Sequence, residues 1–293
     1  MPPSRLTVAT CQFPVTSDVS ANALHIRRQI EDAARRGADV AHFPELAITG
    51  QGYSDRATDD WKAAWQRFDW VLIRAETEAI LKACRDSGIW AVVGSAHCFD
   101  VAERPTNCVY IVDESGNIVS RYDKRRCSES DLNNYTPGVA PVRFDLKGVR
   151  CGVSICLEWS FPEIFAAYAD DGIDLLFHST FAADRCGDTI HTHTIPQTLQ
   201  GYGFTTNMFI SVSNASNPVQ SFPSFWVRRS GRVGDRCRRS VTGMVLSSIM
   251  DEPEKDALYR SIRNFRKDCK DGSFYAKHLT ANPRIEDRQS IGA

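Results

Sequence analysis

The chain has 293 residues, with 35 Lys+Arg against 36 Asp+Glu, a formal net charge of -1, 42% hydrophobic and 24% charged residues. That balance excludes a disordered chain and a basic surface built to coat nucleic acid. No stretch approaches the roughly 20 apolar residues that span a bilayer, and the length fits one large domain or two small ones. Neither a nucleic-acid nor a membrane partner is expected.

An apolar, β-prone run at 6–13 predicts a first strand. Residues 21–36 place Ala23, Leu24, Ile26, Ile30, Ala33 and Ala34 on one helical face, with Gly37 positioned to end it. A short strand at 40–43 runs into Pro44 and Glu45, one or two helices are predicted over 61–88, and a third strand over 89–96. Two strands at 108–113 and 118–122 flank Gly116 and Asn117, a hairpin signal. A polar loop over 124–138 leads to strands at 142–146 and 149–155, a helix at 162–170 and a strand at 174–178. Later strands are predicted at 208–212, 225–228 and 244–249, while His191 and His193 read as part of an exposed polar loop. The segment 268–293 is charged and weakly periodic, and reads as a C-terminal arm or tail on a domain of 1–267.

Strands alternating with helices predict an α/β layered domain. Periodicity alone does not choose between a three-layer doubly wound sheet and a four-layer αββα sandwich. The glycine-rich phosphate fingerprints are missing, which removes the obvious nucleotide-binding readings. The opening apolar run is too short and too polar for a signal-peptide core, so a cytoplasmic chain is expected. Ten cysteines lie at 11, 84, 98, 108, 127, 151, 156, 186, 237 and 269 without a C-x-x-C pair. Most are expected to be free and buried, and no metal site is expected.

Three residues stand out from their surroundings. Glu45 ends a largely apolar run, where a buried carboxylate needs a partner; the alternative is a cap beside Pro44. Lys124 ends the hairpin strand, and the alternative is a solvated basic cluster with Arg125 and Arg126. Cys156 falls where a strand pattern changes to a helix pattern, the place of a nucleophile facing backbone N–H groups; the alternative is a core cysteine.

In combination these residues carry a resemblance. The blocks Phe43, Pro44, Glu45, Leu46, then Tyr122, Asp123, Lys124, Arg125, then Cys151 through Glu163 resemble the nitrilase superfamily of carbon–nitrogen hydrolases. Tyr135, Thr136, Pro137, Gly138 and the late hairpin at 225–231 agree with it. The resemblance implies a four-layer αββα sandwich and a Glu–Lys–Cys triad. It makes Cys156 the nucleophile, Glu45 the general base, and Lys124 with the Leu157 backbone N–H the oxyanion stabilisers. A second acid is implied before Gly138, where Asp131 has the expected spacing and Glu129 is the rival. The implied activity is cofactor-independent hydrolysis of a small amide or N-carbamoyl compound through a covalent cysteine intermediate. A nitrilase is the second reading, and a non-catalytic scaffold or a zinc- or redox-binding cysteine protein are others. A homodimer or higher homo-oligomer is implied, with 268–293 as a crossing arm.

The sequence also departs from the family pattern. Glu158, Trp159 and Ser160 stand where many amidases carry Arg or Asn. A Glu two after the cysteine occurs in nitrilases, but the Trp usual between them is Leu157. Trp159 is read equally as a pocket wall or as core packing.

Overall fold

The computed structural model describes residues 4–51, 65, 68–183, 189–250, 252–276 and 278. Its first strand, β1 (Ser4–Gln12), is buried on both faces. Leu6 and Val8 point into an apolar layer between two sheets, and Ala9 and Cys11 point to a layer beneath helices. This double burial explains why apolar residues at 6–13 do not follow a strict alternation.

The first half builds one sheet and its helical cover. Helix α1 (Val19–Arg35) starts at Asp18, whose carboxylate accepts from the Ala21 N–H. Its apolar face of Ala23, Ile26, Ile30 and Ala33 is fully buried. Each isoleucine there contributes about 1.5–3 kcal/mol of burial. β2 (Val40–His42) follows, then α2 (Trp70–Ser87), which stops at Gly88 in the left-handed conformation (φ 62°). The expected helical stretch 61–88 lies partly outside the described residues. β3 (Trp90–His97) and the hairpin of β4 (Thr106–Val112) and β5 (Ile118–Asp123) complete this part of the sheet.

The second half builds a matching sheet. After α3 (Glu129–Asn134) come β6 (Arg143–Leu146) and β7 (Val149–Ile155). A 3-10 turn at Cys156–Ser160 leads into α4 (Pro162–Asp170), β8 (Leu175–Thr180), α5 (Ile190–Thr206) and β9 (Phe209–Asn214). β10 (Phe225–Val227), β11 (Val233–Arg236) and β12 (Gly243–Met250) finish the unit. The sheet orders are β12-β1-β2-β3-β4-β5 and β11-β10-β9-β8-β7-β6. Parallel β1, β2 and β3 mirror parallel β7, β8 and β9. Helices α1 and α2 cover one sheet and α4 and α5 the other. The architecture is the αββα sandwich.

Two segments differ from expectation. The polar run 124–138 contains α3, started by Ser128, whose hydroxyl accepts from the Asp131 N–H while Asp131 accepts from the Ser128 N–H. The stretch expected as a loop around His191 and His193 is α5. Pro196, Gly201, Gly203 and several threonines hide it from periodicity. Its buried Ile195 and Leu199 dock on Ile164, Phe165 and Ile210, so packing overrides propensity. The nine described cysteines are all free, five of them buried; Cys186 lies outside the described residues.

A second compact unit comprises Glu252–Ala293. Its helix α6 (Pro253–Lys270) carries Glu254 and Asp256 in the first turn and Lys267 and Lys270 in the last, signs that complement the helix dipole. No described helix is long and apolar enough to cross a membrane.

Between the sheets lies a polar thread. His42 Nδ1 is 2.8 Å from the Ser211 hydroxyl and its Nε2 3.0 Å from that of Ser179, which donates to the Phe43 carbonyl. Because Ser179 spends its proton on Phe43, it accepts from Nε2–H. Burial pushes His42 well below its usual value of 6.5, and burial with the charge of Lys124 takes His178 down to about 3. Both rings bind a proton more readily in the unfolded chain, so their contribution is present above 6.5 and is lost as pH falls from 6.5 towards the folded values. Urea titrations should show the unfolding free energy dropping by about 2 kcal/mol between about pH 7 and about pH 5.5. A flat profile over that interval would contradict neutral, buried imidazoles.

Candidate active site

Glu45 is delivered by a turn that β3 receives at a glycine. A Cβ on Gly94 would lie 2.2 Å from the Pro44 carbonyl oxygen and 2.6 Å from the Leu46 nitrogen. The bare backbone there lets the turn sit directly on the strand, with Leu46 at φ 53°. Glu45 is buried, so it is no solvent-facing cap. Its Oε1 accepts from Asn107 Nδ2 at 2.8 Å and from Lys124 Nζ at 2.9 Å, and its Oε2 from the Phe181 N–H at 3.0 Å.

Lys124 leaves the end of β5 and is held from both sides. Its N–H donates to the Asn107 carbonyl, and its own carbonyl accepts from the Gly138 N–H, each at 2.8 Å. Gly138 itself touches the Asp123 backbone, where a Cβ would approach to 2.2 Å. This is the physical reason for a glycine after Tyr135, Thr136 and Pro137. The ammonium is 3% exposed and lies 2.9 Å from Glu45 and 3.0 Å from Asp131 Oδ2. Burial opposes its charge, but the Glu45 carboxylate foremost, with Asp131, outweighs burial and holds Lys124 well above its usual range. It is an ammonium at every physiological pH and no part of a solvated cluster.

Asp131 is buried, and its position follows from α3: the same carboxylate that caps the helix reaches the lysine. Glu129, two residues earlier, is exposed. Behind Asp131, Trp65 packs on Tyr135 with ring centroids 5.3 Å apart and donates to the Asn134 carbonyl.

Cys156 follows the last residue of β7 with φ 44°, a left-handed conformation that costs a side chain about 1–3 kcal/mol unless its surroundings impose it. The residue as a whole is half-buried. Burial and the Glu45 carboxylate push its thiol up to about 12, against the opposing pull of Lys124, Thr180 and the Phe181 backbone. The resting residue is therefore a thiol beside a carboxylate and an ammonium. Leu157 is the second residue of the 3-10 turn, whose first N–H groups have no partner within the turn itself. Trp159 is half-buried: its carbonyl accepts from the Tyr202 hydroxyl at 3.1 Å, and its ring meets His191 at 6.1 Å. Among the described residues no group of three His, Cys, Asp or Glu is placed to hold a metal ion.

Two site residues escape a reading by sequence. Asn107 fixes one Glu45 oxygen, and nothing in its strand marks it. Glu158 stands out in sequence only as a departure, yet it is fully buried and heavily hydrogen-bonded.

The family model for carbon–nitrogen hydrolases matches residues 7–233. The chain belongs to this family. It is 25% identical over 184 residues to a chloroplastic omega-amidase of Arabidopsis thaliana, covering 60% of this chain and 48% of that protein. It is also 25% identical over 169 residues to a nitrilase of Pyrococcus abyssi, covering 56% and 60%. The matched part thus spans less than two thirds of either relative. An amidase from Nesterenkonia sp. shares the fold, with a TM-score of 0.74, 20% identity, and coverage of 90% of this chain and 98% of that one.

The Gly94 contact is a direct check on how Glu45 is placed. Because both clashing atoms are backbone, Gly94→Ala should lower the unfolding free energy by about 1–3 kcal/mol in urea denaturation. An unchanged midpoint would mean the turn does not rest on this strand.

Proposed function

We propose that the chain hydrolyses a non-peptide C–N bond of a small amide or N-carbamoyl compound through a covalent bond to Cys156. The observation that carries this reading is the buried group of Lys124 between Glu45 and Asp131, with the Cys156 thiol under the influence of the Glu45 and Lys124 charges. The family assignment and the relative named as an amidase support it.

A thiol held at about 12 is almost wholly protonated at neutral pH, so its proton must leave as the sulfur attacks. Glu45, the carboxylate whose charge acts on the thiol, takes it as general base. The Sγ–C bond forms, the carbonyl π electrons move to oxygen, and Lys124 with the Leu157 N–H stabilises that oxyanion. Collapse breaks the C–N bond, and the proton held by Glu45 goes to the departing ammonia or amine. A water then gives its proton to Glu45 and attacks the thioester. The C–S bond breaks, the carboxylic acid leaves, and the proton returns to sulfur. Asp131 touches none of the reacting atoms; it adds a second negative charge that keeps Lys124 protonated and fixed. We also propose a homodimer or higher homo-oligomer in which residues 268–293 act as an arm, and a cytoplasmic location.

Ammonia release from small amides, N-carbamoyl amino acids and nitriles should be measured for wild type and Cys156→Ala, with intact-mass spectra alongside. Turnover of an amide or carbamoyl compound is expected, lost by at least about 1,000-fold in the variant. Turnover of nitriles alone would favour the second reading, to which the relative named as a nitrilase lends weight. Silence across the panel with no adduct on Cys156 would favour a scaffold.

A further inference from the structure

Glu158 is a fully buried carboxylate that no step of the chemistry above uses. Its Oε2 accepts from the Ile155 N–H at 2.8 Å, the residue immediately before Cys156. Its Oε1 accepts from the Arg125 N–H at 2.8 Å and the Arg126 N–H at 3.1 Å, the two residues immediately after Lys124. The Tyr122 hydroxyl, two residues before Lys124, lies 2.8 Å from both oxygens, and Arg125 Nε donates to that hydroxyl at 3.1 Å. One carboxylate therefore holds the backbone on both sides of the gap between the lysine and the cysteine.

The donor set explains why the residue is a carboxylate. Three N–H groups and a hydroxyl converge on two oxygens, which an anion accepts without conflict. An amide in its place presents an NH₂ to one set of donors and leaves N–H groups facing N–H groups. Burial raises Glu158, while these hydrogen bonds pull it back towards the ionised form. The Ile155 contact also secures the residue that leads into the left-handed backbone of Cys156.

We propose that Glu158 is a positioning residue that sets the distance and orientation of Cys156 relative to Lys124 by clamping the backbone beside each. The proposal rests on the reading of Cys156 as nucleophile, but its consequence is visible without a substrate. Lys124 favours the Cys156 thiolate, so loosening the clamp weakens that influence and moves thiol ionisation to higher pH.

The test is alkylation of Cys156 by iodoacetamide across pH, followed by peptide mass spectrometry, in full-length wild type, Glu158→Gln and Glu158→Asp. The aspartate keeps the charge but falls one methylene short of the donors. Each folded variant is expected to alkylate at Cys156 at least about tenfold more slowly near neutral pH, with the midpoint shifted upward. Where turnover is available, kcat should fall with KM little changed. A folded variant with the wild-type rate and midpoint overturns the proposal, and so does failure of both variants to fold, which would make Glu158 a residue of stability alone. Failure of the catalytic reading looks different: wild type that alkylates at Cys156 yet turns over nothing.

Discussion

An ammonium inside a protein needs negative partners close by, because burial alone would strip its proton. Lys124 has two carboxylates at 2.9 and 3.0 Å, and much of the sandwich serves to bring them there. Glu45 comes from the turn after β2, Lys124 from the end of β5, and Asp131 from the first turn of α3. Removing one member of such a group leaves an unbalanced buried charge, a loss of about 3–5 kcal/mol. The buried group of Glu45, Lys124 and Asp131 is therefore a constraint on the fold in its own right.

The same electrostatics sets the state of the cysteine. Burial raises the thiol most, Glu45 adds to that, and Lys124 opposes both without overturning the protonated form. A site of this kind stores no thiolate that could oxidise at rest. In the proposed mechanism the sulfur becomes a nucleophile only when a base accepts its proton during attack, and the proposed base, Glu45, is held by Asn107 and the Phe181 N–H. The second sheet thus contributes to Glu45 as directly as the first: Phe181 follows β8, and Asn107 lies on β4.

What the sequence made legible follows from the range of each interaction. Helix α1, the stop at Gly88 and the 116–117 reversal depend on neighbours a few residues away, and local spacing shows them. The order of strands in each sheet rests on pairings such as β1 with β12, more than two hundred residues apart, and no local pattern carries it. Helix α5 was hidden because its residues are poor helix formers held by packing. Asp131 was selected by its distance from Gly138; the reason it reaches Lys124, a capping carboxylate turned inward, needs the geometry of α3. Glu158 was legible only as an unusual residue, since its partners are mostly backbone N–H groups from two distant segments.

If the charge on Lys124 organises the site, replacing it by a neutral side chain of similar reach should disable the site without unfolding the protein. Lys124→Gln should be compared with wild type for turnover on the best amide found and for covalent acyl loading of Cys156, with circular dichroism to establish folding. The expected result is a folded protein in which both signals fall by at least about 100-fold. A folded variant that retains turnover and loading within about twofold of wild type would contradict it.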